Sequence, residues 1–137
     1  MTSLLFDTSV LICHLRGEHP GCTRYVDQVA GGKLGGVIAA ISAGELYAGE
    51  SLDARGEAML EALMSAFAVI PADQAVCIEA GRLVRQFRRS HGMGMIDAMI
   101  AATALSVDCP LLTLNARHFH FIPGVLVINP LIGTGPA

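Results

Sequence analysis

The sequence predicts an α/β sandwich built on a mostly parallel sheet. Two observations predict it. Short, unbroken apolar runs recur along the chain, as strands covered on both faces do. These runs alternate with longer stretches of helical periodicity, the pattern of strands joined by crossover helices. Ligands in such sheets sit beyond the carboxyl ends of the strands. Asp7 and Asn115 each follow a strand-like run, which marks that end of the sheet before any motif is considered.

Leu4-Leu5-Phe6 is the first strand and stops at Asp7. Asp7 or Thr8 can cap a helix through Ser9–Ile12, and Gly17 and Pro20 punctuate it. A second helix runs from about Cys22 to Ala30 and ends at Gly31-Gly32. Val37–Ala40 reads as a buried strand. Ser42 then opens a helix with Glu45 in its first turn, an S-x-x-E capping box. A helix from about Asp53 to Ala66 leads into a strand at Phe67–Ile70.

The clearest helix spans about Asp73 to Ser90. Val76, Ala80, Leu83, Val84 and Phe87 share one face, and Arg82, Arg85 and Arg89 another. Gly92 and Gly94 break the chain before a helix from Ile96 to Ser106. Leu111–Leu114 is a strand ending at Asn115, and Val125–Ile128 is the last strand. A frayed tail is expected after about Asn129.

The 137 residues read as a single domain, 1–137. Hydrophobic residues make up 53% and charged residues 15%, against a usual charged share of about 25%. That balance excludes a disordered chain. It also predicts an apolar contact surface, used by a homodimer or another partner. The net charge of −3 argues against nonspecific coating of DNA. Arg82, Arg85, Arg88 and Arg89 nevertheless form a local basic patch.

The uncharged, apolar-rich run Ala98–Val107 is ten residues, and a membrane span needs ~20. The N-terminus has no positive region and carries Asp7, so it does not read as a signal peptide. A cytoplasmic protein is expected. Cys13, Cys22, Cys77 and Cys109 contain no C-x-x-C and read as small buried residues. His14 and His19 near Cys13 and Cys22 suggest zinc at first sight, but the spacing is wrong for paired zinc ligands.

Three acids need a reason. Asp7 follows a buried strand, Glu45 lies in ISAGELYAGE, and Asp97 lies in the apolar GMIDAMIAATAL. Each can cap a helix, gaining ~0.3–1 kcal/mol from the helix dipole. Together, at one end of the sheet, they would repel one another. A hard divalent cation resolves that repulsion, and Mg²⁺ takes oxygen ligands. Such an ion polarises a phosphoryl oxygen and offsets charge on the leaving oxygen, which hydrolyses phosphodiesters.

LLFDTSVLI, SAGELYAGE, GMIDAMIAATAL and LLTLNARHFHFIPGV, in this order, resemble the successive motifs of PIN-domain nucleases, and most closely the VapC toxins. The resemblance covers Leu4 to about Val127. It implies a three-layer α/β/α sandwich that gathers acids around Mg²⁺ or Mn²⁺ and cleaves tRNA or rRNA. It also implies a homodimer and neutralisation by a VapB-type antitoxin.

On this resemblance the catalytic set is Asp7, Glu45, Asp97 and Asn115. Asp7 and Asp97 would bind metal, and Glu45 would bind it through water or activate the attacking water. Asn115 stands where many PIN domains carry Asp, and it brings no negative charge. Thr8, Thr113, Arg117 and His118 are candidate substrate contacts at the rim. Arg82, Arg85 and Arg89 can meet RNA phosphates, pair with an acidic partner, or form a solvated face. Asn115 also leaves open a PIN-like module that binds RNA or protein without catalysis. An aspartate-nucleophile phosphatase is disfavoured, because Ser9 stands where its second Asp belongs.

Overall fold

Leu4, Leu5 and Phe6 are apolar on both faces of a strand, and the chain covers both. The computed structural model describes residues 1–50 and 52–132. The strands are β1 (Ser3–Phe6), β2 (Gly35–Ala39), β3 (Ala68–Ile70), β4 (Leu111–Leu112) and β5 (Val127–Ile128). The helices are α1 (Thr8–Arg16), α2 (Pro20–Ala30), α3 (Ala40–Tyr47), α4 (Ala54–Met64), α5 (Gln74–His91) and α6 (Met95–Val107). A 3₁₀ turn covers Ala116–His118.

The sheet order is β3-β2-β1-β4-β5, with every neighbouring pair parallel. Leu5 lies opposite Val37 on one side and Leu111 on the other. Alternation along the strands splits the core in two. Leu5 and Leu111 pack with Ala80, Leu83 and Val84 of α5 and Ile100 and Ala101 of α6. Leu4, Phe6 and Leu112 pack with Val10 and Leu11 of α1, Val26 of α2 and Leu60 of α4. The result is the three-layer α/β/α sandwich. Each large side chain fully buried this way contributes about 1.5–3 kcal/mol.

Phe6 meets Phe67 edge to face at 5.0 Å. A Cβ on Gly36 would come within 2.7 Å of the Phe67 ring and Val29, so only glycine lets this core close. At the C-terminus of α5, Gly92 adopts φ 64° and donates its N–H to the Arg88 carbonyl, ending the helix cleanly. Among the described residues no helix is long and apolar enough to cross a membrane.

Several local expectations change. The S-x-x-E capping box at Ser42 does not form. α3 begins at Ala40 and places Ser42 inside the helix, fully buried, with its hydroxyl unpartnered among the described residues. Glu45 therefore lies in the second turn and caps nothing. Pro20 opens α2 rather than ending α1, because its fixed φ suits the first helical position. The His19 ring accepts from the Gly21 N–H there.

β4 is shorter than the apolar run 111–114, although the Thr113 N–H still bonds the Ile128 carbonyl. Cys13 and Cys22 are buried as expected, but Cys77 is exposed and Cys109 half-buried. Burial, with Cys13 alongside, pushes the Cys22 thiol up to about 12, a poor state for a metal ligand. The Asn129 side chain accepts from the Leu131 N–H. The remainder of the expected frayed tail, residues 133–137, lies outside the described residues.

Candidate active site

β1 is where the sheet order turns. β2 follows it on one side and β4 lies on the other, and at such a switch point the strand ends open a crevice. Asp7 sits at that point, 5% exposed, as the first residue after β1. It occupies the N-cap position of α1, yet its side chain makes no capping bond. Its Oδ2 instead accepts from the Ser9 hydroxyl at 2.8 Å and the Thr113 hydroxyl at 2.7 Å.

Both hydroxyls are themselves held. Ser9 Oγ accepts from the Leu114 N–H, and Thr113 Oγ1 from the Asn115 N–H. This network ties the segment after β4 to the end of β1 and fixes the Asp7 carboxylate. Two hydroxyl donors on one oxygen fix the carboxylate's orientation and leave its other oxygen without a protein hydrogen bond among the described residues.

The neighbouring residue extends the cluster. Thr8 donates to Glu45 Oε1 at 2.7 Å, which brings α3 to the same crevice. Asp97, in the first turn of α6, pairs through Oδ2 with His118 Nδ1 at 3.2 Å. Burial pushes the Asp97 carboxyl up, the His118 imidazole pulls it down, and the Asp7 and Glu45 carboxylates push it up further. The three acids thus share one electrostatic site with excess negative charge. Among the described residues, no three His, Cys, Asp or Glu side chains converge closely enough to enclose an ion.

The sign of the Asp97 shift predicts a stability effect in metal-free protein. A raised carboxyl pKa means the folded state holds the proton more tightly than the unfolded state. The associated stability is present at low pH and lost as pH rises through the folded value. In EDTA at neutral pH, Asp97→Asn should therefore melt no lower than the parent. The half-exposed His118 pair that it weakens is worth little. Thermal unfolding from pH 4 to 8 checks this; a melting point several degrees below the parent at pH 7 would contradict it.

The structure brings together Asp7, Glu45, Asp97, Thr8, Thr113, Asn115 and His118. Two rim expectations are corrected. Thr113 is fully buried and Thr8 nearly so, so neither side chain lies on the rim, and both hydroxyls donate to carboxylates. Asn115 is exposed and begins the 3₁₀ turn that carries Arg117 and His118. Arg82, Arg85 and Arg89 are exposed on α5. Arg82 pairs with Glu79 at 3.7 Å, nine residues before the helix end that borders the site.

Sequence reasoning missed His91, Gly92 and Met93, which line a notch of about 80 Å³ with Asp97 and His118. The signal was present: the segment from the α5 cap to Asp97 is too short to leave that helix end far from the acid.

The PIN domain family model matches residues 4–122. The chain belongs to the PIN-domain family. It is also 37% identical over 123 residues to "Ribonuclease VapC19" of Mycobacterium tuberculosis, covering 87% of this chain and 94% of that protein. Among solved structures it resembles a toxin-antitoxin complex from Klebsiella pneumoniae, with TM-score 0.70 and 27% identity. That match covers 93% of this chain and 97% of the other. DNA-bound VapBC from Salmonella typhimurium shares the fold, with TM-score 0.78 at 24% identity, covering 95% and 99%.

This PIN domain presents hard oxygen donors and little else at its crevice. Asp7 Oδ1, Glu45 Oε2 and Asp97 Oδ1 carry no protein hydrogen bond among the described residues. Such donors suit Mg²⁺ or Mn²⁺ rather than a soft metal.

Proposed function

We propose that this protein is a VapC-type toxin, a divalent-cation-dependent endoribonuclease that cleaves tRNA or rRNA and halts translation. A VapB-type antitoxin neutralises it. The observation that carries the reading is the crevice at β1, where Asp7, Glu45 and Asp97 share a site and Asp97 bears the repulsion of the other two. The relative named a ribonuclease and the neighbour solved as a toxin-antitoxin complex support it.

The donor chemistry fits Mg²⁺ or Mn²⁺. Mg²⁺ keeps several of its waters and takes one or two carboxylates directly, so it does not require three converging ligands. Asp7 and Asp97 would hold the ion. When bound, it would supply Lewis-acid stabilisation of charge developing on the phosphodiester.

The chain's own residues do the rest. Ser9 and Thr113 keep the Asp7 carboxylate aimed. Glu45 accepts a proton from the attacking water or holds water near the site, steered by Thr8. The Asn115 amide orients polar groups at the rim without adding charge. Arg117 beside it, and Arg82, Arg85 and Arg89 on α5, attract the RNA backbone; this term weakens with salt. Self-association completes the reading, since Ile78, Met95 and Ile96 each remain nearly half exposed.

Cleavage of total RNA by purified protein tests the proposal. Discrete fragments in Mg²⁺ or Mn²⁺ that vanish in EDTA are expected. RNA binding without cleavage in either metal would instead support the inactive module, the reading that Asn115 favours.

A further inference from the structure

His91 is the last residue of α5, exposed, and takes no part in holding the carboxylates. Its ring is nevertheless fixed. It stacks on Phe121 with centroids 3.9 Å apart and planes within 9°. Phe87 packs edge-on against both rings, at 5.8 Å from His91 and 4.9 Å from Phe121. The Ser90 hydroxyl hydrogen-bonds His91 Nδ1 at 2.7 Å. An exposed side chain at a helix end ordinarily keeps its rotamer freedom; this one has already lost it.

The same ring lines the notch that holds Asp97 and His118. At about 80 Å³ the notch is well below the ~150 Å³ of a cavity that holds a single benzene ring. A nucleobase does not fit inside it. A base flanking a phosphodiester at the carboxylates must therefore lie on the rim. His118 is engaged with Asp97, which leaves His91 as the flat ring of that rim. Arg88 and Arg89, exposed on the same last turn, supply charge for the adjoining phosphates.

We propose that His91 is a base-stacking residue, its ring backed by Phe121 and offering its other face to an unstacked nucleobase of single-stranded RNA. The proposal rests on the ribonuclease reading and names the element of RNA that the site grips. Stacking on a fixed aromatic ring is sequence-tolerant and worth ~5- to 150-fold in affinity per base. Pre-ordering of the ring removes a cost otherwise met on binding.

The test uses a short single-stranded RNA carrying 2-aminopurine, bound in EDTA so that it stays intact. Stacking quenches the probe. The parent and His91→Phe should bind alike and quench it. His91→Ala and His91→Leu should bind ~5- to 150-fold more weakly and lose the quench. Leucine separates the roles, because it can cover Phe121 but cannot stack. Lys33→Ala, remote from the site, should match the parent, and melting curves confirm that each variant folds.

Parent-like binding and quenching by His91→Leu would overturn the proposal. So would RNA binding unchanged in His91→Ala while affinity for an antitoxin falls, which would assign the ring to a protein partner. RNA cleavage by His91→Ala at the parent KM overturns the stacking role alone. A parent that neither binds nor cleaves RNA overturns the ribonuclease reading with it.

Discussion

Asp7→Asn should lower metal-dependent RNA cleavage by about 10³-fold or more while leaving the fold intact. Stabilisation of a phosphoryl transition state by a bound cation is worth several kcal/mol, and each 1.36 kcal/mol is tenfold in rate. The substitution keeps an oxygen to accept from Ser9 and Thr113, so the network joining β1 to the segment after β4 survives. What it loses is the charge and the free oxygen facing the crevice. Single-turnover cleavage of a mapped RNA substrate, with circular dichroism on the same sample, separates the two effects. Activity within tenfold of the parent would remove Asp7 from the metal site.

Thr113→Val should destabilise the protein by about 3 kcal/mol and also reduce cleavage. The shapes match, so no cavity forms and the loss is polar. The fully buried hydroxyl donates to a carboxylate, a bond worth about 1.5–3 kcal/mol. It also accepts the Asn115 N–H, which is left unpaired. Asp7 keeps the Ser9 bond and loses half of its support. A loss of that size lowers the melting point by ~10 °C in a domain of this length. Thr113→Ser retains the hydroxyl and should recover most of both losses. Urea unfolding of the three proteins is the check, and a Val variant as stable as the parent would show that the network contributes nothing.

Much of this was legible in the sequence because strands covered on both faces leave unbroken apolar runs. Leu4-Leu5-Phe6 and Leu111-Leu112 marked the central strands, and the acid after the first of them marked the candidate site. The apolar face of α5 was equally plain; Asp73, read as the approximate start of that helix, caps it by accepting from the Val76 N–H. Helix starts were harder. At Ser42 a capping pattern was present, but the strand-to-helix turn comes earlier, at Ala39–Ala40, because β2 must end beside Ile70 of β3. Sheet pairing, which local spacing does not encode, decided that start.

The positioning role of Thr113 was also hidden. A threonine after a strand reads as rim, and only the pairing of β1 with β4 turns its hydroxyl toward Asp7. His91 was missed for a similar reason. Its chemistry comes from Phe121, which lies far along the chain and joins it only when the segment after the 3₁₀ turn packs against α5.

The central claim is that the carboxylates at the end of β1 hold a divalent cation. Mn²⁺ binding followed by electron paramagnetic resonance tests it most directly, comparing the parent with Asp7→Asn. Saturable binding to the parent that Mg²⁺ displaces, and binding at least tenfold weaker to the variant, are expected. Equal binding by the two proteins, or RNA cleavage by the parent that persists in EDTA, would contradict it.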